Sequence, residues 1–371
     1  MGDDVSQPLR VVVWSTGGIG SISVRAVHEN PAFDLVGVWV HSPDKDGKDA
    51  GELAGIGPIG LAATNDADAL IALKPDCVVY AAQGPERDGA AVPDYVKLLE
   101  AGLNVVTTTV NRLIHPASFQ PPEWREQLEQ AAAKGGVSLY ASGIEPGFAA
   151  DHLVLMLATQ SKTIRSIKAS EVALYDDYPV TEVMMDGMGF GLPLDAMPML
   201  AYPGAIGFQW GPGLQLIAEA LGVQIDEIRE RYDRVATDRD LDVAFGKVAA
   251  GTCGALRIQA IAVIDGKEAI TIEHVNKLAP DLGAEWGMGL GEDGAEPVYR
   301  VIIEGEPDVF CEMSATLKDP KANGYAMEAG AGAMISTAMR VVNAIPYVVD
   351  AAPGLLSALD MPLTLPRNVL R

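Results

Sequence analysis

Ser15-Thr16-Gly17-Gly18-Ile19-Gly20 carry the clearest chemical signal in the chain. They follow an apolar, β-branched run, LRVVVW, and precede a stretch over 18–29 of helical pattern. A strand, a glycine turn and a helix in this order suit the pyrophosphate of a dinucleotide, whose fingerprint is G-x-G-x-x-G. Gly17 fills the second glycine position, where backbone approaches the phosphates. Gly20 fills the third, where the helix packs closely on the strand. Ser15 stands in the first position, where a small residue can still make a tight turn. The helix N-terminus beyond supplies unpaired N–H groups and the positive end of the helix dipole. Residues 15–20 are therefore the expected core of a cofactor site.

The next strand ends at Val40-His41-Ser42-Pro43. An NAD site usually places an acid here to accept the ribose hydroxyls. None stands at the strand end, and Asp44 comes later. His41, Ser42 and Lys45 suit a 2′-phosphate instead, which favours NADP(H) and leaves NAD(H) possible. Ala81-Ala82-Gln83-Gly84 ends another core strand with small residues, a fit either for a close-lying cofactor or for ordinary packing. Ala82, Gln83 and Thr108 complete the expected cofactor contacts.

In doubly wound sheets ligands bind beyond the carboxyl ends of the strands. Segments 107–112 and 142–148 meet that condition, which makes Thr108, Thr109, Asn111 and Glu145 candidates. Glu145 precedes Pro146, a residue suited to the first helical position, so the sequence places Glu145 near a helix N-terminus. A carboxyl group there could relay a proton to a substrate oxygen or nitrogen, pair with an amine, or simply cap the helix in solvent. Asn111 could orient a carbonyl or amide, or bond its own loop. Arg112 could hold a carboxylate or contact phosphate, or lie at the surface. Tyr140 and Tyr175 are phenols with donor or packing roles, and Met184 and Phe190 suit a pocket wall or the core. Together with Thr109 these four form the expected substrate set. No His, Cys, Asp or Glu grouping has metal-ligand spacing.

The elements that must position these groups alternate. Strands are expected over 9–14, 33–40, 76–82, 104–108 and 137–141, with helices over 18–29, 66–73, 95–101 and 123–133. That alternation is the mark of a doubly wound parallel sheet. After about residue 160 the pattern changes to longer strands, over 166–175, 254–264, 269–275, 298–305 and 309–317, with Asp265-Gly266 as a hairpin turn. Helices are expected over 181–188, 214–221, 226–232 and 325–343. The fold class is thus α/β: an N-terminal Rossmann domain over 1–160, a second α+β domain with a mixed or antiparallel sheet over 161–325, and a C-terminal helix and tail over 326–371 returning to the first domain.

Bulk properties narrow the partners. The chain has 371 residues, 49% of them hydrophobic, and a formal net charge of −23. Such acidity disfavours nucleic acid and anionic membrane as partners, since both require clustered Lys and Arg. The 3 cysteines, Cys77, Cys253 and Cys311, are isolated, and the first residues are polar, as expected of a cytoplasmic protein.

WSTGGIG, HSPDKDGKDAGEL, GLNVVTTTVNRL, GIEPGF and AMRVVNAIP together resemble the dihydrodipicolinate reductase-like superfamily. Within it the chain is most similar to the branch of 2,4-diaminopentanoate dehydrogenases and native amine dehydrogenases. The resemblance implies a Rossmann domain, a mixed substrate domain, an active site in the cleft between them, and an oligomer, with a homodimer favoured. It also implies hydride transfer between NAD(P)H and a C=O or C=N carbon of a small, fairly hydrophobic substrate. Two departures stand out. The paired histidines of true dihydrodipicolinate reductases are missing, because His28, His41, His115, His152 and His274 are all isolated. The glutamate that amine dehydrogenases carry after the NVVTT-like strand is replaced by Val110-Asn111-Arg112, and 104–122 holds no acid. Three readings follow: a carbonyl or imine reductase, an amine dehydrogenase relying on Glu145, and a non-catalytic NADPH-binding protein.

Overall fold

The computed structural model describes residues 7–82, 87–325 and 330–368. The chain divides into two compact units, one of residues 1–147 with 318–371, the other of 148–317. In chain order the first unit runs β1 (Leu9–Trp14), α1 (Gly18–Glu29), β2 (Phe33–Trp39), α2 (Ala50–Leu53), α3 (Ala67–Ala72), β3 (Cys77–Tyr80), α4 (Arg87–Glu100), β4 (Asn104–Thr107), α5 (Pro122–Gly135) and β5 (Ser138–Ala141). The second holds α6 (His152–Ala158), β6 (Thr163–Leu174), α7 (Ala205–Leu221), β7 (Glu227–Ala236), β8 (Leu241–Val243), β9 (Gly246–Val248), β10 (Cys253–Ile264), β11 (Lys267–Lys277), β12 (Val298–Glu306) and β13 (Val309–Ser314). The chain then returns to the first unit with α8 (Ala331–Val342), α9 (Ile345–Val349) and β14 (Gly354–Leu356).

The first unit is built on a parallel sheet of order β14-β5-β4-β3-β1-β2. Its strands are apolar on both sides because both faces are covered. Val12, Trp14, Val78, Tyr80 and Val105 pack with Tyr95, Leu98 and Leu99 of α4 and Leu128 of α5. Val11, Val13, Val79 and Val106 point the other way, onto Val24 and Val27 of α1, Val341 of α8 and Ile345 and Val348 of α9. This alternation follows from the two-residue period of a strand. The chain reverses direction across the sheet between β1 and β3, which creates a crevice at their carboxyl ends.

The second unit is a mixed sheet of order β13-β12-β6-β11-β10-β7, in which β6 and β11 run parallel and the other neighbours antiparallel. Asp265 and Gly266, at φ 51° and 72°, make the expected β10–β11 hairpin turn. Ile206, Leu214 and Ile217 of α7 pack on Ile258, Ala260, Ile270, Ile272 and Val301. The opposite face is partly covered, where Trp286, Met288 and Leu290 lie over Val172, Val275 and Val298.

Three expectations are corrected. Residues 226–232, rich in Glu and Arg, are not a helix; from Glu227 they belong to β7, paired along β10. Their side chains alternate between more and less exposed positions, as on a charged edge strand, so the pairing outweighs the helical propensity. The helix expected at 214–221 begins at Ala205 and continues through Pro212. The helix expected over 325–343 is α8 from Ala331, and 326–329 lie outside the described residues.

Candidate functional site

Parallel pairing brings the carboxyl ends of the first sheet into one row. Trp39 lies beside Trp14, Trp14 beside Tyr80, Tyr80 beside Thr107, and Thr107 beside Ala141. Aromatic stacking stiffens part of that row: Trp14 and Trp39 stand 4.8 Å apart with an interplanar angle of 12°, and Trp14 and Tyr80 5.9 Å apart. The loops that leave this row contain the cofactor and catalytic candidates.

The glycine turn leaves β1. Ser15 has φ 104°, a left-handed conformation in which glycine normally sits, and its Oγ accepts from the Gly17 N–H at 3.2 Å. The serine therefore makes the turn, with backbone strain offset in part by its own hydroxyl. Gly20 is forced by packing, since a Cβ there would lie 2.1 Å from the Ser15 carbonyl oxygen. At Gly17 a Cβ would meet only Ser15 Oγ, at 3.7 Å. The space outside Gly17 is open, and no side chain caps α1, whose first residues are Gly18 and Ile19. An uncapped helix N-terminus beside an open glycine offers the N–H donors and the positive dipole end that an anion requires.

Two further features fit a bound dinucleotide. Lys45, in the turn after β2, donates to Thr16 Oγ1 at 3.3 Å. Among the described residues no carboxylate lies within 4 Å of its ammonium, and neighbouring Asp44 pairs with Lys48 at 3.8 Å. A lysine without an acidic partner thus reaches the glycine turn, with half-buried Ser42 nearby in sequence and exposed His41 tilted against Trp39 at 5.9 Å. Thr108, after β4, is buried with an Oγ1 that has no hydrogen-bond partner among the described residues. Buried hydroxyls are ordinarily satisfied, so this one is poised for a ligand.

A cavity of about 500 Å³ adjoins the turn, lined by Thr16, Gly17, Gly18, Ser21, Leu53 and Tyr325 among others. Its α2 side is fastened by Asp49. The Asp49 carboxylate accepts from the backbone N–H groups of Gly51, Glu52, Ile59 and Gly60 at 2.7–3.2 Å. Those bonds, the one from Ile59 foremost, hold its pKa below the usual carboxylate range against the opposing effect of burial.

After β4 the chain makes a buried polar knot. Thr107 Oγ1 lies 2.8 Å from Tyr95 Oη and 3.0 Å from the Tyr80 carbonyl oxygen, and it accepts from Thr109 N–H at 2.9 Å. Thr109 Oγ1 in turn donates to the Ala82 carbonyl at 2.8 Å. Thr109, expected against substrate, thus has its proton engaged by the end of β3. The knot is followed by Val110 at φ 54°, an uncommon conformation for a β-branched residue, and then by Asn111. Ser15 and Val110 are both non-glycine residues at positive φ, and both follow strands of one row. Strain gathered at strand ends of this kind is a pointer to a ligand site. Arg112, expected at the surface, is buried, with its guanidinium 5.7 Å from the centre of the Phe119 ring.

Glu145 lies in the turn after β5, half-buried, and not at a helix N-terminus as the sequence suggested. Gly147 at φ 121° cannot continue a helix, and Ser142 Oγ donates to its carbonyl at 3.1 Å, closing the turn. The next helix, α6, starts at His152, capped by Asp151. Ile144 N–H donates to Thr337 Oγ1 of α8 at 3.3 Å, which fixes the turn beside the sheet edge.

The other substrate candidates are dispersed. Tyr140 is buried in the first unit's core with Val106 and Val341. Met184 and Phe190 are fully buried in the core of the second unit and pack there. Tyr175 is half-buried, 6.5 Å from Phe190 and 6.1 Å from Tyr178. Gln83 lies outside the described residues. The sequence reading missed the Glu171–His274 pair and Asn276 beside Ala173; they became neighbours only through β6–β11 pairing.

Comparison with known proteins identifies the family of the chain. Residues 148–369 match the 2,4-diaminopentanoate dehydrogenase C-terminal domain, and residues 9–85 match the N-terminus of dihydrodipicolinate reductase. The chain is 37% identical to an amine dehydrogenase of Streptomyces virginiae over 96% of both chains. It is 24% identical to the 2,4-diaminopentanoate dehydrogenase of Acetoanaerobium sticklandii, over 74% of this chain and 70% of that one. The solved amine dehydrogenase of Mycobacterium smegmatis has the same fold, with a TM-score of 0.75 over 97% of both chains at 21% identity. The chain belongs to the 2,4-diaminopentanoate dehydrogenase family and is an NAD(P)-dependent oxidoreductase acting on a C=O or C=N carbon.

Proposed function

We propose that the chain is an NADP(H)-linked amine dehydrogenase, interconverting a small, fairly hydrophobic carbonyl compound plus ammonia with the corresponding amine. The observation that carries the reading is the meeting of two kinds of group at one sheet edge: the phosphate-binding turn with Lys45, and the half-buried carboxyl of Glu145. Whole-length likeness to the Streptomyces amine dehydrogenase supports the amine side. The preference for NADP(H) rests on Lys45, which has no carboxylate partner among the described residues and suits a 2′-phosphate, and on the lack of an acid at the end of β2.

The bound dinucleotide supplies or accepts hydride at the reacting carbon. Ser15–Gly20 and Thr16 hold its phosphates by backbone N–H groups, with His41, Ser42 and Lys45 around the ribose phosphate and Ala82 and Thr108 along its path. Glu145 holds and returns the proton at the substrate nitrogen or oxygen. Asn111, which cannot titrate, orients the substrate. Carbonyl reduction without ammonia is the second reading, favoured by the absence of any acid from 104 to 122. NADPH oxidation against a panel of aldehydes and ketones, with and without ammonium, separates them. Oxidation that requires ammonium supports amine formation; equal rates without it refute that reading.

The same proposal includes a cytoplasmic homodimer. The helix-free face of the second sheet exposes Ile302 (39%) and Phe310 (65%), which are register partners. Arg229 and Arg231 of β7 and Glu304 and Glu312 of β12 and β13 share that face, charges that a second copy in reversed orientation would complement. Sedimentation of wild type as a dimer and of Phe310→Asp as a monomer is expected.

A further inference from the structure

On the helix-covered face of the second sheet, β6 and β11 run parallel with Glu171 beside His274 and Ala173 beside Asn276. Tyr175 follows one step further on the same side, its N–H bonded to the Lys277 carbonyl at 2.9 Å. The short side chain of Ala173 therefore lies among four longer ones: Glu171, Tyr175, His274 and Asn276. Each brings a polar atom to an apolar setting. Glu171 Oε1 is 3.4 Å from His274 Nδ1, and these side chains are only 12% and 6% exposed. The indole of Trp210, from α7, lies against the His274 ring at 4.8 Å.

The polar atoms are biased toward acceptors. In the tautomer of His274 that carries its proton on Nδ1, Glu171 Oε1 accepts that proton and Nε2 is an acceptor. Asn276 is 3% exposed, and its Oδ1 has no hydrogen-bond partner among the described residues. A buried carbonyl oxygen without a donor costs about 1–3 kcal/mol, so such a group normally has one. The surrounding charge has one sign. Burial pushes the Tyr175 phenol up, with Glu171 and Glu296 adding to the shift. Burial likewise raises Glu296, and Asp177, Asp176 and Glu171 add to it. Lys277, the neighbouring cation, turns to the other face and donates to the Met288 carbonyl at 2.8 Å.

We infer that Glu171, Asn276, Tyr175 and His274 form a binding site for an ammonium group. A carboxylate, an amide oxygen and a phenol oxygen offer a donor-rich cation the partners it needs, and Asn276 Oδ1 gains the donor it lacks. An anionic group would meet Glu171 with no compensating cation among the described residues, and an alkyl group would leave Asn276 Oδ1 without a donor. The ammonium has two possible sources: a second amino group on the organic substrate, or free ammonium itself. The inference rests on the reading of the second unit as the substrate-binding half of the oxidoreductase.

Calorimetric titration of the full chain, saturated with NADPH, tests it with ammonium chloride, butylamine, 1,4-diaminobutane and sodium chloride as probes. Glu171→Gln keeps the shape of the site and removes its charge; Ala173→Leu fills it without changing any charge. Both variants are checked by thermal unfolding and by NADPH affinity, which should match wild type. Loss of a charge-assisted bond predicts cation binding weaker by at least about tenfold in Glu171→Gln, and Ala173→Leu should lose it as well. Diamine binding tighter than monoamine identifies a second substrate amine; ammonium binding that butylamine does not improve identifies free ammonium. Cation affinity unchanged in a folded Glu171→Gln variant, or no heat from any ammonium probe in the wild type, overturns the site. Because the readout is cation binding, it fails independently of NADPH-dependent turnover, whose absence would instead refute the oxidoreductase reading.

Discussion

Gly17→Val and Gly20→Ala add bulk to glycines three residues apart, yet opposite outcomes are expected. Gly17 has φ −73° and ψ −171°, backbone that any residue adopts, and its nearest Cβ contact would be Ser15 Oγ at 3.7 Å. Valine there should fold, at a stability cost of about 1 kcal/mol for a poorer N-cap residue. Its side chain, however, fills the space through which a pyrophosphate must reach the N–H groups of α1. Losing two charge-assisted hydrogen bonds, each worth about 1.5–3 kcal/mol, predicts a loss of NADPH affinity of more than about a hundredfold. Gly20→Ala places a Cβ 2.1 Å from the Ser15 carbonyl oxygen and 2.7 Å from its carbon, both backbone atoms. Ser15 is already at φ 104° and has little freedom to yield. Overpacking of this kind costs about 1–3 kcal/mol or more. Thermal unfolding and NADPH fluorescence titration measure both quantities on both variants. Wild-type NADPH affinity in Gly17→Val, or wild-type stability in Gly20→Ala, would refute the assignment of the turn.

Other expectations follow from the same site. Lys45→Ala should weaken NADPH about tenfold or more while leaving NADH nearly unchanged, since only the 2′-phosphate loses a partner; equal losses for the two cofactors in steady-state KM would place Lys45 elsewhere. Glu145→Gln should lower kcat by about a hundredfold with little change in NADPH affinity, in the range usual for loss of a proton relay; wild-type turnover would leave Glu145 a turn residue only. Asp49 has a folded-state pKa below the ordinary carboxylate value, so its contribution is complete at neutral pH and is lost as pH falls through the acid range. Asp49→Asn should remove that part of the acid dependence of NADPH binding, measured between neutral pH and the onset of unfolding. Burial pushes the Cys77 thiol up and Cys253 to about 12, while Cys311 is half-buried. A thiol reagent should therefore label Cys311 first in the native protein and all 3 cysteines only after unfolding.

Much of the first unit was legible in the sequence. The helix expected over 18–29 is α1 residue for residue, and the strands flanking it are displaced by a residue or less. Those segments are buried on both faces, so their apolar runs are continuous and bounded by glycine and polar turns. The second unit was read less well where pairing, not local preference, sets the conformation. The sequence of β7, EIRERYDRVA, is made largely of helix formers, and it is a strand because β10 lies beside it. Pro212 and its neighbouring glycines hid the first turns of α7, whose apolar side chains hold it on the sheet.

The candidate site divides the same way. The glycine turn is a local structure: strand, small residues and helix follow one another directly between Leu9 and Glu29, and their order alone points to a phosphate. The sequence also determined that the end of β2 lacks an acid, because that is a matter of composition. Only the tertiary structure decided that Lys45 reaches Thr16, that Thr109 donates its proton to Ala82, and that Glu145 lies in a turn closed by Gly147 rather than near a helix N-terminus. It alone brought Glu171 to His274, 103 residues away. The physical reason is that a side chain's partners are set by strand register and by burial, both of which depend on contacts between distant parts of the chain.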